Sequence, residues 1–165
     1  MYSIPLLRAM ISYDKADPRR IHHFLKVYEF AHIICEGEKV DTMTQQITET
    51  AAIVHDIGIH LSEEKYGSSS GEHQEQEGPA EANKMLSDLY YADNIIDRVC
   101  WLVGHHHTYT NIQQTDHQIL VEADFLVNLY EDFPDGDKRR EAADAAYKTI
   151  FRTETGKQLF QELYG

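Results

Sequence analysis

The chain has 165 residues, 42% of them hydrophobic and 26% charged, enough to bury a sizeable core within one domain spanning 1–165. Its net charge of −13 argues against a nucleic-acid polymer as partner, because a phosphate backbone needs a basic footprint. A small nucleotide stays compatible, since a metal can hold its phosphates locally. Cys35 and Cys100 make neither a disulfide framework nor a CxxC, which fits a reduced, cytoplasmic setting.

The opening MYSIPLLRAMISYDK is too short in its apolar part, and too interrupted by Arg8 and Asp14, for a signal peptide or membrane anchor. Residues 3–13 instead predict a short amphipathic helix with Leu6, Leu7, Met10 and Ile11 on one side. Asp17-Pro18 starts the next helix, with Asp as N-cap and Pro where its missing N–H is harmless. That helix carries Ile21, Phe24, Val27, Tyr28, Ala31 and Ile34, with Gly37 as its expected stop. His23, Val27 and Ala31 share a stripe at spacing four, whereas His22 is turned about 100° away. Asp41 or Thr42 caps a third helix, in which Ile47, Ala51 and His55 share a stripe. His55 and Asp56 are neighbours, so they can serve one ion only from a wedge between helices or at a helix end. Gly58 helps the chain leave the helix there.

Residues 60–77 are polar and rich in Gly and Ser, and predict a long loop with one turn of helix, placed to act as a lid or substrate contact. Gly78-Pro79 starts a further helix with Ala82, Met85, Leu86 and Leu89 facing in. Asp93 caps another, where Ile95, Val99, Leu102, Val103 and His106 fall on one face. Of His105-His106-His107, at most two can face inward; His106 fits the stripe best and His105 borders it. Thr115 or Asp116 caps a helix with Ile119, Leu120, Ala123, Val127 and Tyr130, and Asp124 lies on its inner side. Phe133-Pro134-Asp135-Gly136 is a turn, and helices over about 138–151 and 156–164 close the bundle. No segment alternates like a strand. The expected fold is an all-α, single-domain bundle of about six to eight helices.

Buried imidazoles and carboxylates need a compensating partner. His23, His55, Asp56 and Asp124 form a mixed nitrogen and oxygen donor set that a divalent transition metal accepts. Their order and flanking residues, RIHHFLKV, AAIVHDIG and EADFL, resemble the HD-domain superfamily of metal-dependent phosphohydrolases over about residues 17–130. The resemblance implies one or two ions of Mn, Fe, Zn, Ni or Co. It also implies that a second ion would take His73, or Glu77 in its place, and one of His105 and His106.

The activity implied is hydrolysis of a phosphate ester or anhydride in a nucleotide or other small phosphorylated metabolite, using metal-activated water. Asp56 is the natural bridge between two ions. Lys65 and Arg20 are the local cations for the phosphoryl charge, and His60 is an imidazole suited to general acid work. A mixed-valent di-iron oxygenase and a non-catalytic metal- or nucleotide-binding regulatory domain are the alternatives. Apolar helix faces near the termini fit either core closure or a homodimer.

Overall fold

A computed structural model describes residues 3–165, so Met1 and Tyr2 of the opening stretch lie outside the described residues. Among the described residues there are nine helices and no strand: α1 (Ile4–Tyr13), α2 (Pro18–Glu38), α3 (Thr42–Val54), α4 (Ile59–Tyr66), α5 (Gly71–Asp88), α6 (Asp93–Val103), α7 (Thr115–Glu131), α8 (Asp137–Thr149) and α9 (Glu154–Tyr164). The all-α class holds, with one helix more than the upper expected count. No described helix is long and apolar enough to cross a membrane.

The core is a triangle of α2, α3 and α7, each packed on the other two. Asp17 caps α2 by accepting from the Arg20 N–H at 3.1 Å, and Pro18 follows in the first turn. The inner stripe of α2, His23, Phe24, Val27, Ala31 and Ile34, is buried. Burying Phe24 or Ile34 stabilises the fold by about 1.5–3 kcal/mol each. α3 and α7 differ from ordinary surface helices because they are enclosed almost all round: every residue from Ile47 to Val54 is buried, as is most of α7. Asp124, on the inner side of α7, is buried with its carboxylate.

Gly37 does not end α2. The helix continues to Glu38, and Lys39 takes the left-handed cap with φ 55°. Gly37 is small for a packing reason: a Cβ there would strike the Thr155 side chain, where α9 begins. Glu38 ties the two together by accepting from the Thr155 N–H at 2.7 Å.

The expected loop over 60–77 is helical for most of its length. α4 is held by buried Ile59 and by Ser62, whose hydroxyl donates to the Gly58 carbonyl at 2.7 Å. Gly67 closes α4 with φ 63°, and Ser70 caps α5 by accepting from the His73 N–H. α5 therefore starts at Gly71 and runs through Gly78-Pro79 instead of starting there. Gly78 crosses the turn after His55-Asp56 at close range. A Cβ on Gly58 would lie 2.8 Å from the Gly78 backbone nitrogen, and one on Gly78 would lie 2.6 Å from Val103 Cγ1. This crossing brings α5 against the turn that follows α3, with α6 packed behind it.

Candidate metal centre

α3 ends at Val54, so His55 is its C-cap and Asp56 begins the following turn. Leaving the helix there lets both side chains serve one place. His23 enters from α2 and Asp124 from α7. His23 Nε2 lies 3.1 Å from Asp56 Oδ2, 3.2 Å from Asp124 Oδ1 and 3.2 Å from His55 Nε2. His55 Nε2 lies 3.4 Å from each of the same carboxylate oxygens.

The proton positions decide what these contacts are. His55 Nδ1 is 2.7 Å from the Ala52 carbonyl, and His23 Nδ1 is 3.0 Å from Glu131 Oε2. Both partners are pure acceptors, so each Nδ1 carries a hydrogen, and in the neutral ring that a metal binds each Nε2 presents a lone pair. Two lone pairs and two carboxylates thus face one another in a buried space. Asp124 Oδ1 has no hydrogen-bond partner there. A shared cation resolves this. Donors bonded to one ion at about 2.0–2.2 Å, with angles of about 90–109°, stand about 2.8–3.6 Å apart, which spans the separations found. The donor set fits a divalent transition metal, and the hydrogen bonds on the far side of the rings orient the imidazoles for one.

The electrostatics point the same way. Burial lowers the His23 pKa, but the facing carboxylates of Asp124, Asp56 and Glu131 outweigh it and push it up to about 12, so a proton takes the place of a cation when none is bound. His55 is also raised, the two carboxylates overcoming complete burial. Burial would raise Asp56 and Asp124, yet the histidines hold both below the usual carboxylate range. Glu131 is depressed too, with His23 and Lys26 prevailing over burial. The pocket demands positive charge at its centre.

Asp56 faces a second set of donors. Its Oδ1 lies 3.4 Å from Nε2 of His106, which is fully buried, holds its Nδ1 on the Val103 carbonyl at 2.7 Å and has no partner at Nε2. Asp56, His106 and His107 bring donor atoms within 4.8 Å of one another. His107 was not among the expected ligands. Its Nε2 is 2.8 Å from Gln74 Oε1, and its Nδ1 is 3.2 Å from the Tyr109 hydroxyl. Burial and His106 lower its pKa to about 4, so the ring stays neutral.

Other expected site residues fall elsewhere. Of the two alternatives His105 and His106, His105 stacks on Trp101 at 3.9 Å and anchors its Nδ1 on the Trp101 carbonyl, because the turn after α6 that buries His106 sends His105 outward. His73 lies in the first turn of α5, stacked on Tyr66 at 4.0 Å, with a buried and unpartnered Nδ1. It joins neither donor cluster. Glu77, its expected substitute, accepts from Lys65 and Tyr66 at 2.8 and 2.7 Å. Lys65 is thereby engaged in a half-exposed pair, and Arg20 pairs with Glu63 at 3.7 Å. His60 Nε2 lies 3.2 Å from Asp14 Oδ1 and 3.6 Å from Asp17 Oδ2. Glu131 went unread in the sequence, although it lies two turns after Asp124 on the same stripe of α7.

Fold and centre together define an all-helical protein built around a buried histidine–carboxylate cluster. The HD domain family matches residues 20–146, and the chain belongs to it. Its fold is similar to that of the crystal structure of a predicted HD superfamily hydrolase from an uncultured Thermotogales bacterium. The two are 23% identical with a TM-score of 0.68, over 98% of this chain and 85% of that one. No curated protein matches the chain.

Proposed function

We propose that this protein is a metal-dependent hydrolase that cleaves phosphate ester or anhydride bonds in a nucleotide or another small phosphorylated metabolite. The observation that carries the reading is the facing of His23 Nε2, His55 Nε2, Asp56 Oδ2 and Asp124 Oδ1 at 3.1–3.4 Å. A bound divalent cation supplies activated water and neutralises phosphoryl oxygens. The chain's own residues hold and orient that chemistry: Ala52 and Glu131 fix the tautomers of His55 and His23, and the enclosing helices exclude bulk water.

Asp56 presents its two oxygens to different donor groups, with His23 and His55 on one side and His106 on the other. That arrangement supports a second ion, and with it in-line displacement at phosphorus. Lys65 and Arg20 already have carboxylate partners, so charge on the phosphoryl group falls chiefly to the metal centre. His60, backed by Asp14, is the imidazole proposed for protonating the leaving group.

The same splitting of Asp56 favours one rival, a di-iron oxygenase. A panel of nucleotides and small phosphorylated metabolites, assayed for phosphate release with each candidate metal, tests the reading. Phosphate release with manganese by colourless protein supports hydrolysis. Oxygen consumption by an iron-loaded form, with no phosphate released under any metal, overturns it.

A further inference from the structure

The three imidazoles of the centre are not held alike. His55 and His106 each rest Nδ1 on the backbone carbonyl three residues earlier, at the end of the preceding helix. His23 alone among the three rests on a side chain, Glu131, whose other oxygen lies 2.6 Å from Lys26 Nζ. A backbone carbonyl is a fixed acceptor, whereas a carboxylate changes strength with its counter-ion. Lys26 thus sets how strongly Glu131 pulls on the His23 N–H, and so how good a donor His23 Nε2 is.

Lys26 also faces outward. It lines a cavity of about 580 Å³ between α2, α7, α8 and α9, within the range of small-molecule sites. Phe30, Leu126 and Leu163 supply apolar wall, and Arg139 and Arg140 join Lys26 as cations. Three of the chain's fifteen Lys and Arg residues therefore gather at one cavity of a protein with net charge −13. Arg139 is largely committed to the Leu129, Tyr130 and Phe133 carbonyls and to Asp135. Arg140 is exposed and makes a long 3.5 Å contact with Asp137, which leaves it able to turn to a ligand.

We propose that this cavity is an effector site for a small molecule with an anionic head, carboxylate or phosphate, on an apolar body, and that Lys26, Glu131 and His23 couple it to the metal centre. The coupling rests on the metal-centre reading above; the cavity's chemistry does not. The apolar body occupies the wall around Phe30, Leu126 and Leu163, and the head takes Lys26 and Arg140. Sharing Lys26 with the ligand leaves Glu131 with more of its own charge. Glu131 then accepts more strongly from His23, and the metal is held more tightly. Linkage makes the effect reciprocal, so metal also tightens the ligand.

Titration calorimetry on the full chain, with decanoate, decyl phosphate and decanol as probes and manganese as the metal, tests both halves. Either or both anions should bind, which also identifies the preferred head group; decanol should not bind, and the bound anion should raise manganese affinity about three- to tenfold. Lys26→Met should weaken the anion and abolish the coupling. Arg140→Ala should weaken the anion but leave manganese affinity without it unchanged. Glu131→Gln should still bind the anion while removing its effect on manganese. Equal binding of decanol, no binding of either anion, or anion binding that leaves manganese affinity unmoved would overturn the proposal. Wild-type protein that binds no manganese would defeat the metal centre instead, and anion binding weakened by Lys26→Met would still support the cavity.

Discussion

His23 and His55 turn their Nε2 atoms toward each other at 3.2 Å, although an acceptor already occupies the other nitrogen of each ring. Two imidazoles in this arrangement repel unless a proton or a cation sits between them. With Asp56 and Asp124 crowding the same point, the apo protein stores unfavourable electrostatics that a cation relieves.

Stability should therefore follow metal loading. Stripping the protein with a chelator should lower its melting temperature by roughly 10 °C from the fully loaded form, since ligand at about a thousand times its Kd contributes ~4 kcal/mol. Scanning calorimetry with and without chelator measures this. An Asp124→Ala variant should show a smaller difference between the two conditions.

His106 separates one ion from two. His106→Ala should remove one equivalent of metal if the Asp56 Oδ1 side is occupied, while His23, His55 and Asp124 retain the other. His105→Ala should leave stoichiometry unchanged, because that ring lies outside on Trp101. Metal counted per chain in each variant is the readout.

Gly58 and Gly78 hold the turn after Asp56 against α5. Gly58→Ala places a Cβ against backbone that has nowhere to move, and should destabilise the fold by about 1–3 kcal/mol. Because that turn carries Asp56, metal affinity should fall as well. Urea unfolding and a metal titration on the same variant measure the two effects.

Asp14, which is not itself an expected metal ligand, gives a pH dependence. Burial raises its carboxyl to about 6, with His60 opposing. A carboxyl whose folded pKa exceeds its unfolded value of ~3.9 favours folding most below that value, and loses this contribution as pH rises through about 6. Asp14→Asn should consequently gain stability relative to the wild type between pH 4 and pH 7. Melting curves across that range test the sign; a difference that shrinks with pH would contradict it.

The site was most legible where a single polar residue interrupts an apolar stripe. His23 among Phe24, Val27 and Ala31, and Asp124 among Leu120, Ala123 and Val127, stand out because helical period alone aims them inward. The His-Asp doublet could serve one ion from a wedge between helices or from a helix end, and α3 ends there. The α4–α5 segment was illegible for the opposite reason: its helices are mostly polar, and local caps at Gly67 and Ser70 define them more than an apolar face does. Pro79 misled because α5 is already anchored upstream, where Gln74 and Glu75 bind His107 and Thr108. Glu131 escaped notice because an acidic residue at the end of α7 reads as surface, and only tertiary packing sets it on His23.

Metal content of the purified protein, measured by elemental analysis beside an Asp124→Ala variant, tests the central claim most directly. At least one divalent transition metal per chain in the wild type, lost from a variant that still folds, is the predicted result. Wild-type protein that is folded, carries no metal and takes up none from manganese, iron, zinc, nickel or cobalt would contradict the account.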